Sequence, residues 1–187
     1  MLLRYPYFTN DIGGDQPWHS MKLIAPYCDF LCAGCQNRHL GQAELKDFSP
    51  ESLKGIYESL APFVEGVTIG GLEVNFCDFG WLQDLLSFIN GAKSPKLLIY
   101  TRQSDWSELS ESLQYTLEAL SELPTLEFLA VKYGRYLADR PKRIETFIPE
   151  ADATPWSLSL ASDNQFLKIY KSPCPGTHIT KLPWQSH

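Results

Sequence analysis

The chain alternates between short, largely apolar runs and longer stretches whose apolar residues recur at helical spacing. Four of the short runs are bounded by turn residues and predict buried strands. They span residues 20–25, 67–69, 96–101 and 126–132. Strands that alternate with helices of this length predict a parallel sheet covered by helices, with right-handed crossovers between neighbouring strands.

Three helices are predicted from their starting residues as well as from periodicity. The predicted starts are Ser49 followed by Pro50, Asp78 or Phe79, and Ser104 or Asp105. Serine and aspartate side chains cap helices by accepting a hydrogen bond from the first turn, and proline suits the first helical position. The third helix is predicted to be long, because one apolar stripe runs from Trp106 to Leu120.

The last part of the chain predicts an edge to this sheet. Residues 156–160 and 165–170 alternate as the strands of a terminal hairpin do, and the proline-rich residues 171–187 predict a tail or strap. The 187 residues have the size of one domain, with a core from about 10 to 170, and are too few for an eight-unit barrel. The predicted fold class is therefore α/β, a partial (β/α) barrel with mostly parallel strands.

Composition argues against several functional classes. With 16 basic and 22 acidic residues the net charge is −6, which gives no general attraction to the phosphate backbone of a nucleic acid. No apolar stretch is long enough to predict a membrane span, and the first residues lack the apolar core of a signal peptide. We therefore expect a cytoplasmic protein with neither a membrane nor a nucleic acid as its partner.

Three cysteines in one short segment are the most specific chemical feature. Cys28, Cys32 and Cys35 lie within eight residues, shortly after the first predicted strand. A cubane iron–sulfur cluster takes one ligand per iron, so three thiolates hold three irons and leave the fourth open to an external molecule. The three cysteines are therefore the candidate metal ligands and catalytic residues. Cys77 fits a small buried hydrophobe and Cys174 an incidental thiol, since both lie outside any ligand spacing.

A structural zinc site is the main alternative use of these cysteines. His39 lies four residues after Cys35 and would complete a Cys3His ligand set. One continuous loop suits a cluster better, because structural zinc sites usually take their ligands as two short pairs separated by a longer loop. Disulfides fit least well, since Cys32 and Cys35 are too close to leave a partner for Cys28 and the count of five cysteines is odd.

The motif around the cysteines resembles that of a known enzyme family. The spacing C-x3-C-x2-C, followed by Gln36 and Asn37, is similar to the signature of radical S-adenosylmethionine enzymes. Gly34 completes C-x-G-C-x-N, which resembles the variant in activases of anaerobic ribonucleotide reductase. The Gly-Gly-Leu-Glu stretch at 70–73 resembles the family's Gly-Gly-Glu motif with a leucine inserted, and residues 162–165 resemble the turn before the closing strand of the activases.

The resemblance implies which residues hold the cofactors. Cys28, Cys32 and Cys35 would carry a 4Fe–4S cluster, and its open iron would chelate S-adenosylmethionine. The other residues implied to bind S-adenosylmethionine lie just after the cysteines or at the ends of predicted strands. They are Gln36 and Asn37 at the adenine, Gly70, Gly71 and Glu73 at the ammonium group, Tyr100 and Thr101 near the ribose, and Lys132 in a Lys-x-Gly-x-Tyr-like stretch.

The resemblance also implies an activity. Reductive cleavage of S-adenosylmethionine would give methionine and a 5′-deoxyadenosyl radical, which in the activases removes a hydrogen atom from a glycine of the reductase. A flavodoxin or ferredoxin would supply the electron, and oxygen would destroy the cluster. Two alternatives stay open at this point: radical chemistry on a small molecule, such as a nucleobase precursor, or on a peptide, and a non-catalytic zinc-binding module.

Overall fold

The computed structural model describes residues 1–11, 16, 18–29, 32–93, 95–137, 139–140, 142–148, 156–160, 162–172 and 178–181. A six-stranded sheet lies at their centre. In spatial order its strands are β10 (Phe166–Lys171), β7 (Phe128–Tyr133), β6 (Lys96–Tyr100), β5 (Gly66–Gly70), β3 (Ser20–Ile24) and β2 (Phe8–Asp11). The four central strands are parallel, and the edge strands β2 and β10 are antiparallel to their neighbours.

The predicted α/β class with a mostly parallel sheet is confirmed. All four predicted strands form, and they occupy the four central positions of the sheet. The sheet is open: among the described strands, β2 and β10 do not pair with each other to close a barrel.

Three helices connect the parallel strands. They are α1 (Pro50–Leu60), α2 (Phe79–Gly91) and α3 (Glu111–Glu122). Two predicted helix starts are confirmed, and both are capped: the Ser49 hydroxyl accepts a hydrogen bond from the N–H of Ser52 at 3.1 Å, and Asp78 Oδ1 accepts one from the N–H of Trp81 at 2.8 Å. Each cap satisfies an N–H group that has no partner within its own helix.

The main core lies between these helices and one face of the sheet. Successive side chains of a strand point to opposite faces, so Val67 and Ile69 of β5 face this core while Thr68 faces away from it. A small antiparallel pair, β1 (Leu2–Arg4) with β4 (Leu45–Asp47), lies beside the core and buries Leu3 completely. The other side of β5, which is also buried, carries Gly66, Thr68 and Gly70 rather than large apolar residues.

The face of the sheet away from the helices is partly polar. The hydroxyls of Ser20 and Thr68, on adjacent strands, form a hydrogen bond at 2.7 Å, and Gln16 Nε2 donates to Ser20 Oγ at 2.9 Å. Leu98 and Ala130 belong to a second, smaller apolar cluster on this face. Buried polar groups with mutual hydrogen bonds avoid the cost of desolvation.

The prediction of one long third helix is wrong, because this segment forms two separate helices. Trp106–Glu108 form a 3₁₀ turn capped by Asp105, and α3 begins only after Ser110. The Ser110 hydroxyl accepts a hydrogen bond from the N–H of Leu113 at 3.3 Å, and its own N–H donates to Asn75 Oδ1 at 2.7 Å. The helix is therefore interrupted before Ser110, because this serine caps α3 with its hydroxyl and is hydrogen-bonded through its N–H to a distant loop.

The predicted terminal hairpin is also wrong, although one of its strands does form an edge of the sheet. β9 (Trp156–Leu160) pairs with β8 (Arg143–Ile148) in a separate antiparallel sheet, in which β11 (His178–Lys181) is the third strand. β10 pairs with β7 instead. The predicted tail therefore contains a strand, whereas Cys174 lies outside the described residues.

Candidate functional site

The carboxyl ends of the parallel strands bring the predicted site residues to one edge of the sheet. The N–H of Ala25, after β3, donates to the carbonyl of Gly70 at 3.3 Å, and the N–H of Glu73 donates to Tyr27 O at 2.9 Å. On the other side of β6, the N–H of Thr101 donates to Lys132 O at 2.9 Å. The segment leading into the cysteines, the Gly-Gly-Leu-Glu stretch and the end of β6 are thus joined by backbone contacts.

The cysteine loop begins four residues beyond the end of β3. Cys28, Cys32 and Cys35 are all half-buried free thiols, and the N–H of Cys35 donates to Cys32 O at 3.3 Å. Gly34 has a φ of +67°, a left-handed conformation that glycine adopts without a steric penalty. The glycine of C-x-G-C-x-N therefore forms the turn that presents Cys35.

Burial and nearby positive charges have opposite effects on the pKa of Cys32. Burial raises the pKa of the Cys32 thiol, and the positive charges of Arg135 and Arg102 oppose that rise. Within the described ranges, no three histidine, cysteine, aspartate or glutamate side chains are grouped to hold a metal ion, and residues 30 and 31 of the loop are not described. His39, the fourth ligand of the alternative zinc set, is exposed.

Glu73 is a buried carboxylate with protein donors around it. Its side chain accepts hydrogen bonds from the Thr101 hydroxyl at 2.7 Å, the N–H of Asn75 at 3.0 Å and the N–H of Arg102 at 2.8 Å. Burial raises the pKa of Glu73, while these hydrogen bonds favour the ionised form and lower it. Glu73 thus joins the ends of β5 and β6, and its contact with a ligand ammonium stays a prediction.

The two glycines after β5 allow close packing of the backbone. A Cβ atom at Gly70 would collide with the ring of Tyr100, and one at Gly71 would lie 2.9 Å from Ile24 Cδ1. Gly71 also has a φ of +79°. The absence of a side chain at both positions therefore lets Tyr100 and Ile24 pack directly against the backbone where the chain turns towards Glu73.

We expect Gly71→Ala to lower the free energy of unfolding by about 1–2 kcal/mol, the cost of a left-handed conformation for a residue with a Cβ atom. The contact with Ile24 adds strain, because the shortest distance from the new Cβ is 2.9 Å. Urea denaturation followed by circular dichroism measures the difference. Gly55→Ala is the matched control: Gly55 lies within α1 and has nothing within 4 Å of an added Cβ, so this change should stabilise the protein.

The remaining predicted residues lie around the same edge. Gln36 is exposed and its Nε2 donates to the Tyr136 hydroxyl at 3.3 Å. Asn37 precedes the 3₁₀ helix Arg38–Gln42 and makes no side-chain capping bond, so its amide is not used to stabilise that turn. Lys132 is 4% exposed, and its ammonium lies 5.0 Å from the centroid of the Tyr100 ring.

Sequence reasoning missed a charged pair at the centre of this arrangement. Arg102 Nη2 forms an ion pair with Asp29 Oδ2, and the guanidinium lies 5.4 Å from the centroid of the Phe76 ring. Arg102 Nε and Nη1 are buried and have no hydrogen-bond partner among the described residues. In the sequence, the only indication of this pair is that each member lies next to a predicted site residue. Asp29 follows Cys28, and Arg102 follows Thr101 at the end of a predicted strand.

A separate cavity of about 450 Å³ lies at the opposite end of the sheet. Its walls include Glu65 and Lys96, whose carboxylate and ammonium are 2.6 Å apart at the beginnings of β5 and β6. The predicted site residues lie at the other ends of these strands, so this cavity is not part of the candidate site.

None of the helices in the described ranges has both the length and the apolar composition needed to cross a bilayer. Comparison with protein-family models, curated proteins and solved structures gives no significant match to this chain.

Proposed function

We propose that this chain is a radical S-adenosylmethionine enzyme and that its open sheet is a partial (β/α) barrel of that type. The observation that carries the proposal is the position of the cysteines. A C-x3-C-x2-C loop follows the first parallel strand, at the edge where the carboxyl ends of the other parallel strands supply Glu73, Thr101 and Lys132. Ligands of open parallel sheets bind at this edge.

The residues present fit a cluster and its ligand in their chemistry. Three thiols on one loop are the donor set of a cluster with an open iron. Thiolate-bound clusters carry negative charge, and Arg102 offers buried donor groups without a described partner close to Cys32.

In the proposed mechanism, a bound cluster supplies the electron for cleavage of S-adenosylmethionine to methionine and a 5′-deoxyadenosyl radical. Cys28, Cys32 and Cys35 would hold the cluster, and Asn37 with the backbone of Gln36 would orient the adenine. Lys132 and the end of β6 at Tyr100 and Thr101 line the ribose side. The chain's own contribution is orientation and exclusion of water, since the electron chemistry belongs to the cofactor.

The most specific substrate we propose is a glycine of an anaerobic ribonucleotide reductase. The support is Gly34, which completes the activase-like C-x-G-C-x-N and adopts the left-handed turn before Cys35. In this reaction the 5′-deoxyadenosyl radical takes the Cα hydrogen of the glycine, leaving 5′-deoxyadenosine and a glycyl radical on the partner. A flavodoxin or ferredoxin supplies the electron.

We expect the protein, purified without oxygen and reconstituted with iron and sulfide, to form 5′-deoxyadenosine when dithionite and S-adenosylmethionine are added. Chromatography measures the product, and electron-spin resonance of the reduced cluster should change when S-adenosylmethionine binds. A colourless protein that holds one zinc per chain, and loses it in His39→Ala, would overturn the proposal in favour of a zinc module. Turnover without a glycyl radical signal on an added anaerobic reductase would keep the radical chemistry and reject the activase assignment.

A further inference from the structure

Arg102 connects two segments of the candidate site that are far apart in sequence. Its main-chain N–H donates to Glu73 Oε2 at 2.8 Å, and its side-chain Nη2 pairs with Asp29 Oδ2. Asp29 directly follows Cys28, the first cysteine of the loop. One residue therefore joins the cysteine loop to the ends of both β5 and β6.

The side-chain contact of Arg102 is partly shielded from solvent. The Arg102 side chain is 16% exposed and that of Asp29 is 29% exposed. The Phe76 ring, with its centroid 5.4 Å from the guanidinium, restricts the positions that Arg102 can adopt. An ion pair with a hydrogen bond and little exposure is stronger than the usual surface pair, because water and salt screen it less.

From this arrangement we infer that Arg102 is a positioning residue, which holds the Cys28 end of the cysteine loop against the end of β6 through Asp29. The inference rests on the proposed function in taking the loop as the cofactor-binding segment. The contact joins two side chains of the protein and involves no cofactor atom. Arg102 thus reduces the conformational freedom that the loop must lose when its ligands bind.

Hydrogen exchange of the protein without cofactor tests this inference. We expect Arg102→Met to raise the exchange rate of the amides of residues 28, 29 and 32–37 about tenfold, the effect of losing a charge-assisted hydrogen bond. Asp29→Ala should raise the exchange rates of the same amides by a similar factor. The double variant should raise the exchange rate by less than the product of the two single effects, because both changes break the same contact between Arg102 and Asp29. Arg102→Lys should restore part of the protection.

Arg135→Met is the matched control. Arg135 also acts electrostatically on Cys32, but its side chain is exposed, whereas that of Arg102 is 16% exposed. Faster loop exchange in Arg135→Met, or multiplied effects in the double variant, would show a general charge effect and overturn the inference. Amides of α2 report global unfolding: they should stay protected, and Asp29→Ala carries the test if Arg102→Met fails to fold.

The iron content after reconstitution distinguishes a positioning role of Arg102 from a purely stabilising one. After reconstitution, Arg102→Met should hold severalfold less iron per chain than the unsubstituted protein, and Arg102→Lys should recover part of the loss. Normal iron content in Arg102→Met, despite faster loop exchange, would also overturn the positioning role. If the unsubstituted protein binds no cluster, the proposed function fails, while the exchange experiment still decides whether Arg102 orders the loop.

Discussion

Cys32→Ala should reduce the cluster content of the reconstituted protein to background and abolish formation of 5′-deoxyadenosine. The expected loss is complete because each of the three thiolates would hold one iron of the proposed cluster, and Cys77, the fourth free cysteine among the described residues, is buried. Cys28→Ala and Cys35→Ala should give the same result. Iron and sulfide analysis, visible absorption and chromatography of the reaction mixture measure the two losses independently.

Cys77→Ala is the matched control for the cysteine series. Cys77 is 5% exposed, and burial among its neighbours raises the pKa of its thiol far above the usual value, so it is a neutral packing group. Its replacement should keep the cluster and the turnover, with a loss of stability of about 1 kcal/mol from the small cavity. Loss of the cluster in Cys77→Ala, or retained turnover in any variant of the three loop cysteines, would reject the ligand assignment.

Glu73→Gln should lower the free energy of unfolding by about 1–3 kcal/mol, the cost of leaving a buried donor unsatisfied. The carboxylate accepts from the N–H groups of Asn75 and Arg102 with different oxygens. A glutamine has only one amide oxygen, so in either orientation its NH2 group faces one of these N–H groups. Denaturation with urea, monitored by tryptophan fluorescence, measures the change.

The control for this substitution is Glu108→Gln. Glu108 is exposed and accepts a hydrogen bond from the N–H of Ser104 at 2.6 Å, so we expect the free energy of unfolding to change by no more than about 0.5 kcal/mol.

The loss of unfolding free energy in Glu73→Gln should also depend on pH. Because the folded-state pKa of Glu73 is raised above 4.5, the protonated form adds stability at low pH, and this contribution is lost as pH rises through the raised pKa. The loss of unfolding free energy in Glu73→Gln should therefore be largest in acid. A loss that does not change with pH would contradict the raised pKa of Glu73.

Features that depend on neighbouring residues were predictable from the sequence. Ser49 and Asp78 cap helices within three residues of themselves, and the spacing of the cysteines lies within one loop. The break before α3 was not predictable, because Ser110 is bonded by Asn75, which is 35 residues earlier in the chain. An apolar stripe records which side of a segment is buried, not whether the helix is continuous.

The same distinction applies to the candidate site. Arg102 and Asp29 are 73 residues apart, and nothing in the local pattern around either residue indicates their pairing. The bonds of Glu73 to the end of β6 are equally non-local. The sequence could therefore predict which residues gather at the edge of the sheet, but not which of them bond each other.

The pairing of β10 with β7 has a consequence for synthesis of the chain. Gln165, which anchors the turn before β10 to the carbonyl of Gly134, is made 31 residues later than Gly134. Until it leaves the ribosome, β7 is an exposed edge whose free N–H and C=O groups can pair with another chain. Every residue proposed to hold a cofactor has been made by then, so the nascent protein carries a full set of ligands on an unfinished sheet.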